Sequence, residues 1–174
     1  MTAAQTVAVL LDEELLTLTR IAGMLRRRNL PISSFAVGPT GTPGCSRLII
    51  MLQTDADAAD RVARQLRNVI GVREAAAFAA RDGVARELVL VKVRASQDHY
   101  GDLLDVALLY KAAIIDETAD ATILEVSGSE AFVLSFLRAL DRFEVLDIAR
   151  SGVVALGRSA LGAAAVSLSP ETVP

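Results

Sequence analysis

The segment TVAVLLDEELLTLTRIAGMLRRRNLPISSFAV, residues 6–37, holds a strand, a helix and a second strand, and the chain repeats that order. Thr6 to Leu11 is a short β-branched and apolar run, which reads as a buried strand. Asp12, Glu13 and Glu14 follow, and acidic residues suit the positive end of a helix. From Leu15, the apolar residues Leu15, Leu18, Ala22 and Leu25 recur at spacings of three and four, predicting one buried face. Arg26, Arg27 and Arg28 crowd the last turn, Asn29 is a left-handed cap, and Pro31 stops continuation. Ile32 to Val37 is then the second strand.

Working outward, residues 38–44 (GPTGTPG) are dense in turn formers and predict a hairpin connection. Arg47 to Leu52 (RLIIML) is apolar on both faces. Such a strand lies in the middle of a sheet, or has its second face covered by another subunit. Thr54-Asp55-Ala56-Asp57 resembles a capping box, and Ala59, Val62, Ala63, Leu66 and Ile70 form the stripe behind it. Gly71 ends this helix, and Val72 to Ala79 supplies a fourth strand. The second half repeats the order. Glu87 to Arg94 is a strand, and Leu103, Val106, Ala107 and Tyr110 mark a helix face. Ala113 to Glu117 and Thr122 to Val126 are short strands. Ser127-Gly128-Ser129-Glu130 is a second capping box, opening a helix that buries Phe132, Val133, Phe136, Leu137 and Leu140. Glu144 to Leu156 closes the repeat.

The expected fold is therefore α+β, with two tandem ferredoxin-like βαββαβ units. Their expected extents are residues 5–80 and 87–158, with a joint near 81–86 and a frayed tail over 159–174. The 174 residues are 52% hydrophobic and 22% charged, which excludes intrinsic disorder. No apolar run reaches a membrane span, and the first residues lack the positive region of a secretory signal. A single cysteine, Cys45, excludes an internal disulfide framework and fits the cytoplasm. Domains this small are marginal alone, so the apolar surplus predicts domain pairing and at least a homodimer.

Catalytic chemistry is hard to find in this sequence. His99 is the sole histidine, so one chain cannot supply a two-histidine metal site. Cys45 has no neighbouring cation closer in sequence than Arg47, which argues against an activated thiolate. Gly38, Gly41 and Gly44 lie between two strands rather than between strand and helix, so no phosphate-binding loop is present. Asp116 and Glu117 sit side by side on a strand and point to opposite faces, which disfavours an acid–base pair. The net charge is −3, split as +3 over residues 1–86 and −6 over residues 87–174, so nucleic acid is not an expected partner. Arg26 to Arg28 read as a solvated or interfacial helix end.

Several blocks carry a closer likeness. Val9-Leu10-Leu11, Val37-Gly38-Pro39-Thr40, Ser46-Arg47-Leu48, residues 87–93 (ELVLVKV), Ile114-Ile115-Asp116 and residues 149–158 (ARSGVVALGR) occur in a characteristic order over residues 6–158. In these the sequence resembles the small, regulatory subunit of acetohydroxyacid (acetolactate) synthase, a family with ACT domains. The resemblance implies a non-catalytic subunit that binds and activates a large, thiamine-diphosphate-dependent catalytic subunit. It also implies no cofactor of its own, pairing through the ACT domains, and feedback inhibition by valine bound near the strand-to-helix turn. A free-standing tandem-ACT amino-acid sensor is the alternative.

The chain departs from the family at that turn. The family pattern is Asn, Glu, a small residue and Gly; here it is Glu13-Glu14-Leu15-Leu16. Leu16 obstructs the close approach that the family's Gly permits, and Glu13 sets a negative charge near a ligand carboxylate. Pro31 stands where an Asn usually follows the first helix, before Ile32. The effector site implied by resemblance is thus Glu13, Leu15, Leu16, Pro31 and Ile32, with altered or lost valine binding.

Overall fold

The computed structural model describes residues 3–94, 96, 99–118 and 120–158. In chain order its elements are β1 (Ala3–Asp12), α1 (Leu15–Arg27), β2 (Ile32–Pro39), β3 (Cys45–Thr54), α2 (Ala56–Leu66) and β4 (Val72–Ala79). A 3₁₀ turn at Ala80–Asp82 precedes β5 (Gly83–Arg94), α3 (Tyr100–Tyr110), β6 (Ala113–Glu117), β7 (Thr122–Gly128), α4 (Glu130–Ala139) and β8 (Glu144–Gly157). The strands form two four-stranded sheets, ordered β2-β3-β1-β4 and β6-β7-β5-β8. Each is the sheet of a ferredoxin-like βαββαβ unit. The expected tail over 159–174 lies outside the described residues.

Two compact units result. One takes in the chain up to Ala85 together with the chain from Val153 onward; the other is Arg86–Gly152. Both boundaries fall inside strands, in β5 and in β8.

In the first unit, β1 pairs antiparallel with β3 on one side and β4 on the other. Alternate residues of these strands, Val7, Val9, Leu48, Ile50 and Leu52, meet α1 and α2 in one core. The opposite sheet face carries Ala8, Ile49 and Met51, and it is not left bare. Val153 and Ala155, from the end of β8, cover it. RLIIML is accordingly central in its sheet, with its second face covered by the same chain. Val153 N–H donates to Ser34 Oγ at 2.8 Å, tying this cover to edge strand β2.

In the second unit, Val89, Val91, Leu124 and Val126 of the sheet pack against α3 and α4. Phe136, fully buried, is the largest side chain of that core. A side chain of this kind contributes about 1.5–3 kcal/mol relative to an exposed one. Tyr110 stacks at a tilt on Phe132 and Phe136, with ring centroids 5.5 Å apart in each pair.

Four sequence expectations need correction. The buried face of α1 is Thr17, Ile21, Met24 and Leu25, not the stripe beginning at Leu15. Thr17 packs against Gly71, which has no Cβ to block it, and this rotates Leu15 to solvent. Ile70 is 75% exposed because α2 ends at Leu66 and the chain has already turned away. Both capping boxes shift along the chain. Asp55, not Thr54, caps α2 by accepting from Ala58 N–H at 2.7 Å, and Ser129 caps α4 by accepting from Phe132 N–H at 3.3 Å. Phe132 is more than one-third exposed, lying at the rim of its core. Asn29, by contrast, adopts the expected left-handed conformation at φ 47°.

Gly71 has φ 93°, and a Cβ there would lie 2.2 Å from Thr17 Oγ1. Gly71→Ala combines an unfavourable backbone region with a steric overlap, and is expected to cost about 1–3 kcal/mol. Chemical denaturation of the full chain measures it.

Candidate functional site

The turn from β1 into α1 is held from three sides. Asp12 N–H donates to Gly71 O at 2.8 Å, and Glu13 N–H donates to Gly44 O at 3.2 Å. Arg73 binds Asp12 Oδ1 through Nε at 2.7 Å and Gly44 O through Nη2 at 2.9 Å. The bond to Asp12 is the main reason the Arg73 guanidinium lies above its ordinary pKa, with neighbouring Cys45 adding to it. The hairpin glycine and the glycine after α2 thus serve as backbone acceptors that fix where α1 begins.

α1 begins without a side-chain cap. Glu14 is the N-cap residue in extended conformation, and its carboxylate accepts no capping bond. Its carbonyl accepts from Thr17 N–H at 3.1 Å, while Leu15 and Leu16 N–H make no backbone hydrogen bond. Two donors at the positive end of a helix suit an anion. Over them stand Leu15, 80% exposed, and Leu16, 54% exposed, with Glu13 and Glu14 also at the surface. Branched side chains and two carboxylates are a poor lining for an amino-acid carboxylate. Beneath lies Thr17, fully buried, whose Oγ1 has no partner.

The other two site residues are elsewhere. Pro31 O accepts from Gln53 N–H at 3.1 Å, which fixes the start of β2 against β3. Ile32 borders an open groove of about 360 Å³, lined also by Ala22, Leu25, Arg26, Asn29, Leu30 and Phe35. Its floor is apolar, and Arg26 and Asn29 are its polar members. A 13-residue helix rises about 20 Å end to end. Glu13, Leu15 and Leu16 therefore lie at one end of α1, and Pro31 and Ile32 at the other. One copy does not bring them together. Ala22, expected on the buried stripe, is exposed and lines this groove with Asn29 and Phe35; none of the three was among the expected site residues.

The candidate chemical groups elsewhere have structural partners. His99 Nδ1 lies 3.4 Å from Asp102 at the exposed start of α3. Cys45 is buried. Glu117 is the main cause of the raised pKa of the Tyr100 phenol. Among the described residues no group of three or more His, Cys, Asp or Glu could hold a metal ion. In the ARSGVVALGR block, Arg150 grips nearly buried Glu87 through Nε at 2.8 Å and Nη2 at 2.6 Å. Ser151 Oγ accepts from Leu88 N–H at 3.1 Å, and Gly152 turns at φ 73°. These residues build the strand pair rather than a reaction centre.

Comparison with known proteins covers both units. Residues 86–159 match the family described as the small subunit of acetolactate synthase, and residues 16–74 match the AHAS small subunit-like ACT domain. The probable acetolactate synthase small subunit of Archaeoglobus fulgidus is 32% identical over 153 residues, 88% of this chain and 96% of that protein. The acetolactate synthase small subunit of Haemophilus influenzae is 31% identical over 152 residues, covering 87% and 93%. The crystal structure of the small subunit from Thermotoga maritima superposes with a TM-score of 0.83 at 29% identity, covering 91% of this chain and 99% of that one.

Thr17→Val removes a buried hydroxyl that has no partner and keeps the side-chain shape. The substitution is expected to leave stability unchanged or raise it by up to about 1 kcal/mol. A lower melting temperature for the variant would show that the hydroxyl has a partner in solution.

Proposed function

The chain belongs to the acetolactate synthase small-subunit family, and on that premise we propose that it binds and activates the thiamine-diphosphate-dependent catalytic subunit of acetohydroxyacid synthase. It is a non-catalytic, cytoplasmic regulator of branched-chain amino acid biosynthesis, and the thiamine cofactor is the catalytic subunit's. Family likeness over both units supports this reading, as does the structural pairing of the side chains that could have done chemistry. Among the described residues, no helix is long and apolar enough to cross a membrane.

The observation that carries the regulatory reading is the separation of the effector residues along α1. A ligand the size of valine reaches both groups only if two copies contribute. Two copies related by a two-fold axis, with their α1 helices antiparallel, set Glu13, Leu15 and Leu16 of one beside Asn29, Pro31 and Ile32 of the other. The same arrangement opposes Glu13 and Glu14 to Arg26, Arg27 and Arg28, so charge favours it. The exposed apolar residues of β2, Ile32, Phe35 and Val37, lie on the same side and gain cover. In such a dimer Leu16 projects toward the groove and fills space that valine would need. The pocket is thus an apolar dimer contact, with feedback by valine weakened or abolished.

Calorimetric titration of the full chain with valine tests this. No binding heat is expected at micromolar valine, whereas Glu13→Asn/Leu16→Gly/Pro31→Asn recovers binding. Micromolar binding by the natural chain would overturn the altered-pocket reading. Affinity purification from the source cell separately tests the partner: recovery of a thiamine enzyme is expected, and its absence would favour a free-standing sensor.

A further inference from the structure

Two adjacent residues of β2 belong to different layers of the first unit. Phe35 pairs with Ile50, which lies in the core under α1 and α2, and Phe35 itself lines the groove beside α1. Ser34 pairs with Met51, which lies on the other sheet face with Val153 and Ala155. Successive strand residues point to opposite faces, so a displacement of β2 on the groove side is carried to the covered side within one residue. The register of β2 on β3 shifts between Ile32 and Ser34, and Ser33 Oγ donates to Met51 O at 3.4 Å. A bulge bends the strand that carries it, and this one lies between groove residue Ile32 and Ser34.

The cover over the second face is a strap made by the last residues of β8. Val153 and Ala155 turn inward, while Val154 and Leu156, 57% and 61% exposed, turn outward. Its inward anchors are thus two small side chains, and polar bonds hold its ends. Val153 N–H donates to Ser34 Oγ at 2.8 Å, and Arg158 N–H donates to Asp82 O at 2.8 Å. Before the strap, regular strand geometry is interrupted. Gly152 is left-handed at φ 73°, and Ser151 Oγ accepts from Leu88 N–H at 3.1 Å in place of a backbone carbonyl. Just ahead of that, Arg150 is fixed to Glu87 by bonds of 2.8 and 2.6 Å. A fixed point, a glycine joint and a lightly anchored strap follow one another in sequence. Segments with few buried contacts are those that open locally while the rest of a domain stays folded.

We infer that residues 153–157 are a strap that opens and closes about Gly152, and that Ser34 couples its state to β2. With the Ser34 bond in place, β2 and the strap move together. Occupation of the groove that displaces Phe35 then loosens the strap and the joint at Ser151 and Gly152, from which the chain leads into the second unit. Ser34 is a positioning residue in this device, acting through Val153 rather than on a ligand. The inference depends neither on which effector binds nor on the catalytic subunit.

Hydrogen exchange of the full-length chain tests the coupling as a double-mutant cycle, read by mass spectrometry on peptides that include residues 153–157, 32–39 and 72–79. Phe35→Ala perturbs β2 from the groove side without altering the strap. It is expected to speed exchange of the strap by about three- to tenfold, the range that loss of one hydrogen bond represents, while 72–79 stays within about twofold. Ser34→Ala is expected to speed strap exchange by a similar factor and to abolish the further response to Phe35→Ala. Ser34→Thr, which keeps the hydroxyl, is expected to restore that response. A strap indifferent to Phe35→Ala would overturn the inference, as would an equal response with and without the Ser34 hydroxyl. Equal acceleration of the strap and β4 would show that the unit opens as a whole, and would overturn it too.

Discussion

The rotation of α1 about its own axis is set where Thr17 meets Gly71, and the arrangement of the first unit follows from it. Gly71 approaches Thr17 more closely than a residue with a Cβ could. With Thr17 inward, Ile21, Met24 and Leu25 also face the core, and Leu15 and Leu16 face solvent. The same rotation puts Ala22 and Arg26 on the wall of the groove beside β2. A helix turned by one residue, about 100°, would bury Leu16 and empty the turn of the side chains that obstruct a ligand. A packing contact in the core thus determines which side chains surround the start of α1.

Apolar surface is the second organising quantity. A half-chain of this size cannot bury all its apolar residues in one core. The first unit covers the outer face of its sheet with Val153 and Ala155, and Ser34 anchors that cover. Exposed large apolar residues remain in both units, among them Leu15, Leu16, Phe35 and Val37 on α1 and β2, and Leu108, Leu109, Val145 and Ile148 in the second unit. Along α1, acid at one end and arginine at the other are self-complementary under a two-fold axis.

Strand and helix order was legible in the sequence because period-two and period-three-to-four patterns alternate cleanly and turn formers separate them. The left-handed Asn29 and the hairpin at 38–44 follow from residue chemistry alone. The phase of α1 was not legible, since a reading that counts only apolar residues passes over Thr17, and nothing local says that Gly71 makes room for it. The caps were misplaced by one or two residues because neighbouring Thr, Asp and Ser side chains are all competent, and tertiary position chooses among them. Of the proposed effector site, composition and spacing gave nothing; Glu13, Leu16 and Pro31 stand out only against the pattern of a family. The groove is a product of three segments, α1, the Asn29 turn and β2, and no local pattern marks such a juxtaposition.

A regulator without its own chemistry acts by binding one state of its enzyme better than another, and an effector acts by changing that preference. On the proposed reading, Leu16 and Glu13 at the turn leave this chain the first property and remove the lever for the second. The most direct measurement is the rate of acetolactate formation by the catalytic subunit, alone and with saturating amounts of this chain, across added valine, leucine and isoleucine. The account predicts a rate raised by the chain and unchanged by valine. A rate indifferent to the chain would contradict it.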